Sequence, residues 1–113
     1  MLFSGVTVTF LREFLIGLWL TLPMLLSLIV VIFALGKIAG GTEGWSTFES
    51  FYWSFVTATT VGYGDIRPVK RSSRVIAIVI ALLGLTMTGI LIAVAVHAAT
   101  FALTAHDAAA LKP

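Results

Sequence analysis

Cysteine is absent from the 113-residue chain, which excludes disulfides, thiolate catalysis and cysteine-based zinc sites together. Charge is nearly as scarce: 11% of the residues are Asp, Glu, Lys or Arg, where a soluble domain carries about 25% to keep its surface in water. The shortage is also uneven, with no charged side chain in Phe14–Leu35 and none in Val75–Leu103. With 59% hydrophobic residues and a mean hydropathy of +1.09, the composition excludes a soluble enzyme and specifies a membrane protein. At about 1.5 Å per residue the two uncharged runs are roughly 33 and 43 Å long, against a hydrocarbon core of about 30 Å. Each can cross it, the second with tilt or overhang. The first run is longer than a signal-peptide core and no A-x-A-like cleavage site follows Leu35, so it reads as a mature helix. The net charge of +2 forms no dense basic patch of the kind nucleic acid needs. Arg67, Lys70, Arg71 and Arg74 instead stand just ahead of the second run, where basic side chains anchor a helix at headgroup level.

What is present is organised around those runs. Met1–Glu13 reads as an amphipathic segment lying at headgroup level, with Leu2, Phe3, Val6, Phe10 and Leu11 among polar residues. The outer span covers 14–35, and Pro23 in its middle removes one backbone bond and predicts a kink. The inner span covers 75–103, followed by a tail over 104–113 that either lengthens the helix or frays. Between the spans, Gly36–Arg74 holds eight of the twelve charges and six of the ten glycines. The glycines of Gly36–Gly44 predict an irregular turret over 36–46. Ser46-Thr47-Phe48-Glu49 then fits a capping box and opens a predicted helix over 47–58, rich in aromatics. At about 16 Å such a helix is apolar enough to enter a membrane but too short to cross it. Its return must be buried in protein or line a water-filled path, since stranded backbone groups cost several kcal/mol each in lipid. One chain of this size cannot enclose a path, so a symmetric oligomer is implied.

The return segment reads Thr59-Thr60-Val61-Gly62-Tyr63-Gly64-Asp65. Carbonyls of an ordinary strand point alternately, and turning successive ones to one side needs left-handed φ values, which Gly62 and Gly64 adopt without penalty. Over TVGYGD the sequence resembles the potassium-channel family, in its prokaryotic-type form with two transmembrane helices. The resemblance covers roughly 14–103. It implies an all-α membrane fold of two transmembrane helices with a re-entrant pore helix and a filter loop over 59–65, assembled as a four-fold symmetric homotetramer. K+ is then the permeant ion, held by oxygens of Thr60, Val61, Gly62 and Tyr63 with Gly64 closing the row, and no organic cofactor is involved. Tyr52, Trp53, Thr59 and Asp65 correspond to filter supports, the aromatic edges hydrogen-bonding Tyr63 and Asp65. Membrane-interface anchoring is the alternative reading of the same aromatics. Val56 departs from the pattern, standing where some bacterial relatives carry a carboxylic acid that partners the aspartate after the filter.

In the inner span, Gly84 matches the family's gating-hinge glycine, and close helix packing is the competing reading there and at Gly89. Thr88, Ile92, Ala95 and Ala99 continue one helical face and are assigned to cavity and gate. His97, the sole ionisable group in either span, is open to a proton-sensing role or to simple snorkelling. The basic loop conflicts with the positive-inside rule. The resemblance overrides it, placing both termini in the cytoplasm, the filter at the outer mouth and the chain in the plasma membrane, among lipid and without nucleic acid. A weakly selective cation channel and a non-conducting membrane hairpin are the alternative functions. An intramembrane hydrolase using Ser27 and His97 lacks an evident oxyanion donor. No arginine-rich voltage sensor is present, and the gating stimulus, with a regulatory domain or partner outside the sequence, stays open.

Overall fold

The computed structural model describes residues 2–111; Met1, Lys112 and Pro113, with the parts of the predicted lead and tail that fall on them, lie outside the described residues, as do the side chains of Leu2, Phe3 and Ser4. The fold is all-helical, with α1 spanning Leu2–Glu43, α2 Thr47–Ala58 and α3 Arg71–Ala110. α1 and α3, of 42 and 40 residues, are long and apolar enough to cross a membrane.

Three sequence-based boundaries are corrected. The N-terminal lead is not a separate segment, because α1 already runs from Leu2 with nothing to break it, Thr9 bonding the Gly5 carbonyl at 2.9 Å. The turret over 36–46 is not irregular, because α1 continues through Gly36, Gly40 and Gly41 to Glu43. Gly36 and Gly40 are buried against α2, so they serve close approach and not flexibility. The chain turns only at Gly44, whose φ of 79° suits a residue without a β-carbon. Trp45 N–H then reaches back to the Gly40 carbonyl at 2.9 Å, the six-to-one bond of a Schellman ending. The inner helix spans 71–110, not 75–103, because capping and alanine content, more than hydropathy, set its ends.

α2 starts as the sequence predicts. Ser46 Oγ accepts from Glu49 N–H at 3.1 Å, and Glu49 Oε1 accepts from Ser46 N–H at 3.0 Å. The Ser46 backbone N–H, and after it the Ser46 hydroxyl, lower the Glu49 carboxyl from its ordinary value.

α3 has a different start. Its first turn has no acidic residue and carries Arg71 and Arg74, an unfavourable set at the positive end of a helix dipole. Glu43, the last residue of α1, supplies the missing anion: its Oε1 accepts from the backbone N–H of Val69 and, at 2.9 Å, of Lys70. Lys70 Nζ returns a bond to the Thr42 carbonyl at 2.8 Å. We expect Glu43→Ala to lower the thermal unfolding midpoint in detergent, and Glu43→Gln to lower it less, because the amide oxygen still accepts. Equal midpoints for all three proteins would show that this carboxylate does not hold the two helix ends together.

The chain divides into two compact units. One, Met24–Thr88, has a core of Ile32, Ala39, Trp53, Ala58 and Ile80. Trp45 packs on Trp53 with ring centroids 5.0 Å apart, and Phe33 meets Phe51 edge to face at 5.3 Å. The other, residues 1–23 and 89–113, packs the start of α1 on the end of α3 through small residues: Ala98 and Ala102 are fully buried, and a β-carbon on Gly17 would meet Val94 Cγ1 at 2.6 Å. Hydroxyls in both long helices bond carbonyls three or four residues back, as an apolar solvent requires.

Candidate functional site

The site is the segment that leaves the C-terminal end of α2. Five residues of α2 are buried, Ser50, Trp53, Ser54, Val56 and Ala58, and they fix the helix within its unit. Its last carbonyls then organise the chain that follows. Thr59 N–H and Oγ1 both bond the Phe55 carbonyl, at 3.0 and 2.7 Å; Thr60 N–H donates to Thr57 O and Gly62 N–H to Val56 O, each at 3.3 Å. The start of the return segment is therefore tied by its backbone to the helix.

From there φ changes sign at every step. It is positive at Thr60 (64°), Gly62 (56°) and Gly64 (79°), and Val61 and Tyr63 between them, with Asp65 after them, are not among the positive-φ residues. A backbone that alternates in this way turns successive carbonyls toward one side, as the sequence reading required of Gly62 and Gly64. Thr60 is the residue that reading missed. A β-branched side chain in the left-handed region costs about 1–3 kcal/mol, and such strain persists only where the surroundings over-determine it. Here the bond to Thr57 O and the tether at Gly62 do so. No feature of the sequence announces a left-handed threonine, since the signal for positive φ is glycine.

Asp65 ends the segment with both oxygens engaged. Oδ2 accepts from Tyr52 Oη at 3.0 Å and Oδ1 from the Ile66 backbone N–H at 3.1 Å. The bond to Asp65, followed by desolvation and the carboxylate's charge, pushes the Tyr52 phenol above its ordinary value, so it remains a neutral donor. Trp53, expected beside Tyr52 as a polar-edged support, is instead buried in the core against Trp45. Val56 is buried, and its contribution to the segment is its carbonyl. Val61 and Tyr63 are exposed within the single chain, Tyr63 at 72%.

α3 meets the site at Gly84. This residue is buried against the end of α2: a β-carbon there would overlap the Ala58 carbonyl oxygen and lie 2.7 Å from its carbonyl carbon. A β-carbon on Gly89 would meet nothing within 4 Å in the same chain, so a packing role inside the subunit does not apply to it. Thr88 and Ile92 are exposed, Ala95 and Ala99 half-buried, and His97 exposed. Ser27 Oγ donates to the Met24 carbonyl at 2.7 Å, an ordinary helical satisfaction of a hydroxyl. Among the described residues no group of three or more His, Asp or Glu is placed to hold a metal ion.

A family model described as "Ion channel" matches residues 2–101. Among curated proteins, the chain is similar to TWiK family of potassium channels protein 7 of Caenorhabditis elegans, 41% identical over 66 residues that make up 58% of this chain and 12% of that protein. It is similar to a voltage-gated potassium channel of Aeropyrum pernix, 45% identical over 47 residues, 42% of this chain and 16% of that one. It also matches potassium channel subfamily K member 2 of Homo sapiens, 32% identical over 62 residues, 55% of this chain and 15% of the human protein. The aligned region is thus 12–16% of the length of these relatives. No solved structure gives a significant match.

Proposed function

Because the chain belongs to this ion-channel family, we propose that it is one subunit of a homotetrameric, potassium-selective pore that conducts K+ passively down its electrochemical gradient. The single observation that carries the reading is the alternation of φ across Thr60–Gly64, the backbone pattern that a row of carbonyls turned to one side needs. Four copies around an axis stack rings of oxygens that replace the hydration shell of a cation, and the Thr60 hydroxyl adds the innermost ring. The re-entrant element is α2, whose C-terminal end carries about half a negative charge; four such ends favour a cation below the filter. Tyr63, exposed in one subunit, is then covered by its neighbour. The chain crosses the plasma membrane twice with both termini cytoplasmic and performs no covalent chemistry.

Potassium flux into liposomes holding the purified chain, blocked by barium, tests the proposal. Absence of flux from an assembled tetramer would overturn it. Bi-ionic reversal potentials separate a selective pore from a weakly selective one, and the proposal requires potassium to exceed sodium.

Arg67 adds a quantitative expectation. It is exposed two residues after Asp65, so four copies ring the outer mouth with positive charge that opposes cation entry. The Debye length falls from about 30 Å at 0.01 M salt to about 3 Å at 1 M. Arg67→Asn should therefore raise unitary conductance at low ionic strength and leave it unchanged in concentrated salt. An unchanged conductance at both would remove the charged ring from the account.

A further inference from the structure

α1 and α2 meet along a seam in which two small residues on each helix face each other at a spacing of four. Gly36 and Gly40 lie on α1, and Ser54 and Ser50 on α2; all four are buried. The fit leaves no room for a methyl group. A β-carbon on Gly40 would overlap Ser50 Oγ and lie 2.8 Å from Ser50 Cβ, and one on Gly36 would overlap Ser54 Oγ and lie 2.9 Å from Ser54 Cβ. The serine hydroxyls are already satisfied within α2, Ser50 by the Ser46 carbonyl at 2.8 Å and Ser54 by the Ser50 carbonyl at 2.7 Å. They do not bridge the helices; they give the seam its shape. Lys37 Nζ, bonded to Thr47 Oγ1 at 2.6 Å, pins its outer end.

This seam continues into the site. The helix whose position it fixes is the one whose last carbonyls, Val56 O and Thr57 O, hold Gly62 and Thr60 by their amides. A displacement of α2 along α1 is therefore passed to the carbonyl row by backbone bonds, with no side chain between to absorb it. We infer that Gly36, Gly40, Ser50 and Ser54 are positioning residues for ion selectivity, the seam setting where α2 stands and so the spacing of the oxygens that follow it. The inference rests on the potassium-pore reading of those oxygens.

The test compares Gly40→Ala with Gly41→Ala. Both are in the last turns of α1 and gain the same helix propensity, but a methyl group on Gly41 meets nothing within 4 Å. Gly40→Ala should lower the K+/Na+ permeability ratio in liposomes by about tenfold or more, scaled from the roughly hundredfold cost of a 1 Å misplacement in a preorganised site. Gly41→Ala should keep the wild-type ratio. Adding Ser50→Gly to Gly40→Ala removes both clashing atoms and leaves an ordinary 3.7 Å contact with the Ser50 Cα, so the double variant should recover selectivity. A Gly40→Ala ratio within twofold of wild type, or a loss that Ser50→Gly does not reverse, overturns the inference. Should Gly40→Ala fail to assemble, Ser50→Gly alone carries the test, because it loosens the same seam. Its ratio must then fall, and a wild-type value refutes the inference. A wild-type chain that assembles and passes no potassium refutes the pore itself, a result distinct from all of these.

Discussion

Gly62→Ala is expected to abolish potassium flux while leaving the helices folded. The position has a φ of 56°, and a β-carbon placed there meets nothing within 4 Å in the same chain, so the effect is one of backbone conformation and not of space. An alanine that keeps the left-handed conformation costs about 1–2 kcal/mol, roughly 4–8 kcal/mol over four copies, or about a thousandfold or more against the conducting arrangement. An alanine that relaxes to negative φ avoids that cost but turns its carbonyl out of the row and pulls on the bond between Gly62 N–H and Val56 O. Both routes end the flux. Liposome assays on protein shown to be tetrameric by gel filtration check the result, and retained flux at wild-type selectivity would mean that the alternation of φ is not what coordinates the ion.

Gly84→Ala is expected to act earlier, on assembly itself. Its added carbon overlaps backbone, the Ala58 carbonyl, and backbone at a helix end cannot move aside as a flexible side chain can. Overpacking of this kind costs about 1–3 kcal/mol per site, and here the site recurs four times. The yield of assembled protein should drop sharply, more so for Gly84→Val. Gly89→Ala, with open space around it, should assemble normally. The comparison also separates the two roles open for Gly84. If Gly84→Ala assembles at wild-type yield and changes open probability alone, the glycine matters as a bend; if the tetramer is lost, it matters because α2 and α3 touch there.

How much of this was legible in the sequence depends on what each residue was being asked to reveal. The two spans followed from where charge is missing, a property of solvent that composition records directly. The start of α2 followed from Ser46 and Glu49, because a capping box is a local event among four residues. Gly62 and Gly64 followed from the motif, since glycine is the signal for positive φ. The turret failed because glycine carries two messages, freedom and closeness, and only a partner tells them apart. Gly36 and Gly40 are separated by four and so are Ser50 and Ser54, a pattern that hints at a seam, but nothing in one sequence says that the two pairs face each other. Glu43 was equally silent: its role at the start of α3 joins residues 26 and 27 positions apart in the chain. Thr60 and the buried position of Trp53 were out of reach for the same reason, being decided by tertiary contact.

The outer corner of the subunit, where Glu43, Thr42, Val69 and Lys70 complete one another's hydrogen bonds, has a bearing on how the proposed tetramer is put together. That corner asks nothing of a neighbour. The segment Thr60–Gly64, by contrast, is exposed in one chain, and in the proposed pore its carbonyls act only at an axis. In the proposed tetramer the rim is therefore a property of each subunit, closed by bonds within one chain, while the ion path is a property of the assembly.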